Sequence, residues 1–160
     1  AHPRPEHVQR AVEINDGFDD EAVIMDLAST LDFLRSHDSC SGKVGVVGYC
    51  LGWRTAYLMA ARTNADCSVG YYGVNIQGYL DEAGNIAKPL MLQLAGDDDF
   101  CPPEIAATIV ARLEPLAQSS LYEYEGAGHA FALAGGPNYN ESASNLANQR
   151  SLTFLKDQLF

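Results

Sequence analysis

The apolar positions along the chain alternate between helical and strand spacing. Residues 19–35 place six apolar side chains near helical spacing, namely Ala22, Val23, Met25, Leu27, Leu31 and Leu34. The first turn of this segment is acidic, which suits the positive end of a helix dipole. Residues 43–48 form a short and continuous apolar run, typical of a parallel strand covered on both faces. An amphipathic helix followed by a buried strand is therefore predicted.

The same alternation continues to the C-terminus. It predicts helices over residues 51–62, 103–116 and 141–159, and strands over residues 67–72, 90–95 and 121–124. Strands separated by helices imply βαβ units and a mostly parallel sheet with right-handed crossovers. Such sheets bind ligands beyond the carboxyl ends of their strands. We therefore predict one α/β domain over residues 1–160, with its chemistry on the loops that follow the strands.

Composition and charge narrow the classes of partner. The chain has 160 residues, of which 47% are hydrophobic and 19% charged, as in a soluble globular protein. Its 21 Asp and Glu against 10 Lys and Arg would repel nucleic acid and anionic bilayers. No apolar run approaches the roughly 18 to 20 residues that cross a bilayer, and the first residues lack a secretion signal. We expect a soluble, cytoplasmic protein that binds neither nucleic acid nor membrane.

The four cysteines are widely spaced, at positions 40, 50, 67 and 101. This spacing lacks both the density of a disulfide-stapled mini-domain and the paired cysteines of a metal site. Free thiols are therefore expected.

One cysteine lies in a motif with chemical meaning. Residues 48–52 read Gly-Tyr-Cys-Leu-Gly, the nucleophile-elbow pattern with cysteine in place of serine, between a predicted strand and a predicted helix. The sharp turn strains the nucleophile's backbone, and the flanking glycines avoid Cβ collisions. Cys50 would face the positive helix end, which favours its thiolate, and the Leu51 amide could donate to an oxyanion. The alternative is a small buried cysteine in a glycine-rich turn.

Acidic residues and a histidine follow two later strands. Residues 97–99 are three aspartates after the strand at 90–95, and His129 lies in a Gly-Ala-Gly-His-Ala-Phe segment after the strand at 121–124. Each alone is compatible with an ordinary solvated loop. Three adjacent carboxylates splay apart, and no further oxygen ligands follow at regular spacing, which argues against a metal site. The order of nucleophile, acid and histidine is that of α/β hydrolases.

Together these motifs resemble the dienelactone hydrolase (carboxymethylenebutenolidase) family. The segments that carry the resemblance are residues 42–52, 70–74 (Gly-Tyr-Tyr-Gly-Val), 96–102 and 126–131. The resemblance extends from about residue 15 to the C-terminus. It implies an α/β-hydrolase-type sheet flanked by helices, and a triad of Cys50, His129 and Asp98, the middle acid of the turn. It also implies hydrolysis of an enol-lactone to maleylacetate, without cofactor or metal.

The resemblance also implies a mechanism and a pocket. His129 acts as base for Cys50, Asp98 fixes the imidazole tautomer, and backbone amides hold the oxyanion while an acyl enzyme forms. Tyr71, Tyr72 and Phe100 are aromatic candidates near the predicted mouth, and the family favours Tyr71 and Phe100 as substrate contacts. Trp53 replaces a family glycine, and its indole would either narrow the pocket or cover the helix.

Two further departures from the family concern its substrate and its fold. Leu133 occupies the position of the arginine that binds the substrate carboxylate in the family. The partner arginine falls near residues 8–10, where Arg10 is the candidate substitute. A neutral or more apolar ester therefore competes with a dienelactone. Family members carry additional N-terminal chain with the first strands, the second oxyanion donor and a glutamate that interacts with the cysteine. We expect this sheet to lack those strands, which leaves the strand at 43–48 near an exposed edge.

Three functional hypotheses follow. The first is a hydrolase of a lactone or small carboxylic ester, with a homodimer as a possible assembly that covers the exposed edge. The second is an inactive, self-associating α/β-hydrolase fragment that retains a residual triad. The third is a glutamine amidotransferase, which also has a cysteine elbow but pairs it with a His-Pro-Glu type partner instead of the Gly-His-Ala found here.

Overall fold

The computed structural model describes residue 10, residue 13 and residues 17–160. The elements in chain order are α1 (Asp20–Arg35), β1 (Gly45–Tyr49), α2 (Leu51–Arg62), β2 (Cys67–Tyr71), a 3₁₀ segment (Ile76–Asn85), β3 (Leu90–Asp97), α3 (Pro103–Leu113), β4 (Ser119–Gly128) and α4 (Glu141–Leu159). Every predicted helix and strand has a counterpart here. In the described ranges, no helix combines the length and apolar character that a membrane span needs.

The four strands form one parallel sheet in the order β1-β2-β3-β4. Their carboxyl ends therefore meet at a single edge, where the loops after β1, β3 and β4 come together. The predicted parallel α/β architecture is confirmed. β1 is an outer strand of the described sheet, and its Val47 and Tyr49 side chains are exposed. The absence of further family strands, a homodimer across this strand and a single domain over residues 1–160 stay predictions.

The largest differences from the prediction lie in two elements. The 3₁₀ segment was not predicted, because its buried residues Ile76, Leu80 and Ala83 keep an apolar spacing over too few residues to reveal a helix. β4 is longer than predicted because its polar, glycine-containing end at 125–128 has no strand periodicity. Pairing with β3 holds that end, through an irregularity between Ala95 and Asp97. The extended pairing brings the loop with His129 close to the acidic turn.

The side chains of β3 divide the core into two layers. Leu90, Leu92 and Leu94 pack in a cluster with residues of α1, α2 and α3. Met91 and Ala95 point to the opposite face and pack with residues of α4. Alternate side chains of a strand point to opposite faces of the sheet, so both faces are covered. This explains why residues 90–95 are apolar on both faces of the strand apart from Gln93.

Trp53 occupies a space that two glycines leave open. The side chain is 1% exposed and lies against the end of β2. A Cβ atom at Gly73 would lie 1.6 Å from Trp53 Cγ, and one at Gly70 would lie 3.4 Å from Trp53 Cδ2. Because Gly70 and Gly73 have no side chains, the Trp53 indole can pack beside them in the core.

Replacing Gly73 by alanine is expected to lower the free energy of unfolding by about 1–3 kcal/mol, because overpacking forces buried groups from their places. Urea denaturation of the variant and the original protein measures this difference. Gly78→Ala is the matched control, since nothing lies within 4 Å of a Cβ atom there. Equal destabilisation by the two substitutions would contradict the packing role of Gly73.

Candidate active site

Cys50 lies in a strained turn between β1 and α2. Its backbone has φ 55° and ψ −115°, a conformation that L-residues rarely adopt, and its N–H donates to the Tyr71 carbonyl over 3.1 Å. A Cβ atom at Gly48 would lie 1.7 Å from the Gly52 carbonyl oxygen, so the turn requires glycine at position 48. Among described residues, nothing lies within 4 Å of a Cβ position at Gly52. The predicted crowding is therefore right for Gly48 and wrong for Gly52.

The structure brings together the three residues of the predicted triad from three different loops. His129 Nε2 lies 3.1 Å from Cys50 Sγ. On the other side of the ring, His129 Nδ1 lies 2.9 Å from Asp98 Oδ2 and 3.1 Å from Asp98 Oδ1. These distances permit a continuous hydrogen-bonded series from carboxylate to imidazole to thiol.

Burial separates Asp98 from the two aspartates beside it. The Asp98 side chain is 1% exposed, whereas Asp97 and Asp99 are exposed and line a polar cavity that also includes Asn138. Asp98 Oδ1 also accepts the Phe100 N–H over 2.9 Å, which fixes the carboxylate. In the part of the chain that is described, no three His, Cys, Asp or Glu side chains are arranged to hold a metal ion. That the site needs neither metal nor cofactor stays a prediction.

The contacts of Cys50 and His129 move the pKa values of the two groups in opposite directions. The hydrogen bond with His129 lowers the pKa of Cys50 against the opposing effect of burial, and the Leu51 backbone N–H lowers it further. Burial lowers the pKa of His129, but the hydrogen bonds to Asp98 and Cys50 outweigh burial and raise that pKa to about 9. Both shifts favour a thiolate beside an imidazolium, which is the reactive form of a cysteine nucleophile.

The other thiols lack this environment. All four cysteines are free, as the sequence predicted. Cys67 and Cys101 are buried, and burial raises the pKa of each to about 11. Buried neutral thiols are chemically inert, so Cys50 differs from these two cysteines in its exposure and in the direction of its pKa shift.

Two aromatic rings flank the imidazole. Phe100 packs edge-on at 4.8 Å between ring centroids and is 55% exposed, so it is accessible at the mouth as predicted for a substrate contact. Tyr72 packs at 5.6 Å, with its backbone at φ 34°. The family resemblance favoured Tyr71 over Tyr72 as a substrate contact, and no periodicity at the end of a strand fixes the direction of either side chain. The structure places Tyr72 beside His129.

Two other predicted substrate contacts are enclosed. Tyr71 and Trp53 are each 1% exposed. Tyr71 directs its hydroxyl away to Ser151 Oγ, 2.7 Å distant, and Trp53 fills the space beside Gly73. We assign packing roles to both, and direct contact with a substrate stays a prediction that their burial argues against.

Leu133 and Arg10, the residues that the resemblance sets against two family arginines, are both exposed. Leu133 is 56% exposed in the turns that follow His129, and its N–H donates to the Ala130 carbonyl over 2.9 Å. Arg10 pairs with Glu13 at 3.1 Å. The remainder of the predicted partner region, residues 8 and 9, lies outside the described residues.

The sequence is similar to one protein family and to several of its members. The profile of the Dienelactone hydrolase family matches residues 2–159. The chain is 38% identical over 149 residues to the carboxymethylenebutenolidase of Pseudomonas putida, covering 92% of this chain and 62% of that protein. It is 34% identical over 151 residues to carboxymethylenebutenolidase 1 of Cupriavidus pinatubonensis, covering 94% and 64%. The chain thus spans less than two thirds of the length of these relatives.

Solved structures share the fold. A candidate dienelactone hydrolase from Klebsiella pneumoniae superposes with a TM-score of 0.80 at 22% identity, over 96% of this chain and 67% of that one. A dienelactone hydrolase-like promiscuous phosphotriesterase from metagenomic libraries superposes with a TM-score of 0.76 at 18% identity, over 98% and 69%. At these identities the superpositions show the α/β-hydrolase-type fold. Since the family profile matches nearly the whole sequence, this chain belongs to the dienelactone hydrolase family.

Proposed function

We propose that the protein is a hydrolase that cleaves a lactone or small carboxylic ester with Cys50 as nucleophile, His129 as acid and base, and Asp98 as the group that orients His129. The observation that carries this proposal is the pair of contacts on His129, at 3.1 Å to Cys50 Sγ and 2.9 Å to Asp98 Oδ2. A nucleophile, a base and an orienting group in series are the requirements for covalent acyl transfer.

In the first half of the proposed reaction, the Cys50 thiolate adds to the substrate carbonyl carbon. The carbonyl oxygen takes up the negative charge, and in this proposal the Leu51 backbone N–H donates to it. When the tetrahedral species collapses, the bond between carbon and the leaving oxygen breaks. His129 gives its proton to that oxygen, which leaves a thioester on Cys50 and a neutral imidazole.

In the second half, the neutral imidazole removes a proton from water as the water oxygen attacks the thioester carbon. Collapse of this second tetrahedral species expels the Cys50 thiolate and releases the carboxylic acid. His129 keeps the proton, so the thiolate and imidazolium pair is restored. Asp98 stabilises the imidazolium and holds Nδ1 towards the carboxylate throughout.

For the substrate we propose a lactone or a neutral small ester. The names of the matched Pseudomonas and Cupriavidus relatives indicate a lactone substrate for those proteins. The exposed residues Phe100 and Leu133, both apolar, favour an uncharged acyl group here. The charge of −11 on the chain also disfavours an anionic ligand, although salt screens this effect.

The direct experiment compares turnover of a dienelactone with turnover of a short-chain neutral ester by the purified protein. We expect both to be hydrolysed, with a higher kcat/KM for the neutral ester if Leu133 has changed the substrate preference. A Leu133→Arg variant should then shift the ratio towards the dienelactone. Absence of any turnover by a cooperatively folded sample would contradict the proposal and favour the inactive, self-associating alternative, which sedimentation of the same sample would test.

The pH dependence of kcat/KM is expected to be bell-shaped. Activity should increase as Cys50 loses its proton, at a pH below the ordinary pKa of a thiol, and should decrease near pH 9, where His129 loses the proton that the leaving oxygen needs. Initial rates on an alkyl ester from about pH 5 to about pH 10 measure both limbs. Activity that continues to increase above about pH 10 would contradict the assignment of His129 as the acid.

A further inference from the structure

A buried polar network connects the sheet to α4 behind the candidate active site. Gln93 of β3 and Ser151 of α4 lie among apolar neighbours, and both are buried. Ser151 Oγ accepts the Tyr71 hydroxyl over 2.7 Å and the Gln93 side-chain amide over 3.0 Å. A serine hydroxyl has two acceptor sites, so both are filled. The Ser151 hydroxyl thus joins β2 and β3 to the same point on α4.

The other polar atoms of the network also have partners. The Tyr124 hydroxyl donates to Gln93 Oε1 over 2.5 Å, and an Arg150 guanidinium N–H donates to the Tyr124 hydroxyl over 3.1 Å. The Gln93 amide also reaches the Ala147 carbonyl over 3.2 Å. Fully satisfied buried networks fix the orientation of their members, because any rearrangement leaves a buried polar group without a partner.

The backbone carbonyls of Tyr71 and Gln93 hold residues of the candidate active site. The Tyr71 carbonyl accepts the N–H of Cys50 over 3.1 Å, and the Gln93 carbonyl accepts the N–H of Tyr72 over 2.8 Å. Cys50 and Tyr72 both have positive φ, at 55° and 34°. Strained conformations of this kind persist only where the surrounding structure determines them. Tyr71 and Gln93 therefore supply the constraint at both strained residues.

The Tyr72 ring carries this constraint to His129. It packs edge-on against His129 at 5.6 Å and against Phe131 at 5.3 Å between ring centroids. The Tyr71 ring lies on another side of Tyr72, at 5.9 Å. A shift of the Tyr71 or Gln93 side chain would therefore displace both members of the Cys50 and His129 pair.

We propose that Gln93 and Ser151 are positioning residues of this site. Ser151 ties the side chains of Tyr71 and Gln93 to α4, and this fixes the backbone carbonyls that hold Cys50 and Tyr72. Neither residue contacts the reacting atoms. The effect on ester turnover rests on the proposed function, whereas the effect on the reactivity of the Cys50 thiol does not.

Ser151→Ala tests this inference, because it removes the acceptor that lies 2.7 Å from the Tyr71 hydroxyl and 3.0 Å from the Gln93 amide. Both donors then keep only longer contacts, among them 3.1 and 3.2 Å to the Ala147 carbonyl. We expect alkylation of Cys50 by iodoacetamide at pH 7, followed by mass spectrometry of its peptide, to slow by about tenfold or more. In ultraviolet titration of the thiolate, the pKa of Cys50 should move upwards. For ester hydrolysis, kcat should fall by a similar factor, with KM changed by less than about twofold.

Ser68→Ala is the matched control, since Ser68 is also buried on β2 but its hydroxyl has no hydrogen-bond partner among the described residues. This variant should alkylate at the original rate. Tyr71→Phe keeps the ring and removes the hydroxyl, so it tests the inference even if Ser151→Ala fails to fold. The inference is overturned if the folded network variants alkylate like Ser68→Ala. Absence of ester turnover in every sample, together with slowed alkylation in the network variants, would contradict only the proposed function.

Discussion

Replacing Cys50 by alanine is expected to reduce ester hydrolysis by about 10⁴-fold or more, with little change in folding. The physical reason is that the substitution removes the only atom proposed to bond to the substrate, the Sγ that lies 3.1 Å from His129 Nε2. Alanine retains the Cβ atom and can keep the backbone turn that the N–H bond to Tyr71 holds. Initial rates on a neutral ester, with urea denaturation of the same sample, separate loss of chemistry from loss of fold.

Cys40→Ala supplies the matched control for this change. Cys40 is also a free and partly accessible cysteine, but its Sγ has only a weak contact, 3.9 Å from the Lys43 carbonyl. This variant should keep full activity. Full activity in the Cys50 variant, or equal losses in both, would show that the nucleophile is not Cys50.

The parts of the fold that the sequence predicts well are those determined locally. Residues 48–52 specify the turn around Cys50, because a Cβ atom at Gly48 cannot coexist with the Gly52 carbonyl. The parallel order follows from the alternation of helices and strands, and with it the meeting of the loops that carry Cys50 and His129 at one edge.

The parts that the sequence does not predict depend on tertiary contacts. Tyr71 and Tyr72 are adjacent and chemically identical, yet one bonds to α4 and the other packs on His129. Which of the two takes each role depends on where β2 ends, and no periodicity defines that point. Ser151 similarly appears as one polar residue of a mostly polar helix, and only the packed structure shows that it is buried and shared by two donors.

The acidic turn at residues 97–99 shows the same dependence on tertiary contacts. Asp97, Asp98 and Asp99 are equivalent by pattern, and the choice of Asp98 came from family resemblance. The structure supplies a physical reason, because β3 continues through Asp97, which pairs with Gly128 of β4. The side chain of the next residue, Asp98, is therefore directed to His129, while Asp99 remains exposed.

Asp98→Asn is accordingly expected to lower kcat by about 10⁴-fold, because an amide in this place can donate to His129 Nδ1 and favour the wrong tautomer. Removing the carboxylate should also lower the pKa of His129, since the hydrogen bond with Asp98 helps to raise it. The high-pH limb of kcat/KM should therefore move to lower pH in any residual activity. Steady-state kinetics across the pH range measure both effects.

Asp99→Asn makes the same chemical change one residue away and should alter kcat by less than about threefold, as expected for an exposed group outside the hydrogen-bonded series. A denaturation curve for each variant tests whether the turn remains folded. If the Asp99 variant were the inactive one, the orienting carboxylate would have to reach His129 from the exposed side of the turn. That result would contradict both the choice of acid and the packing that directs Asp98 inward.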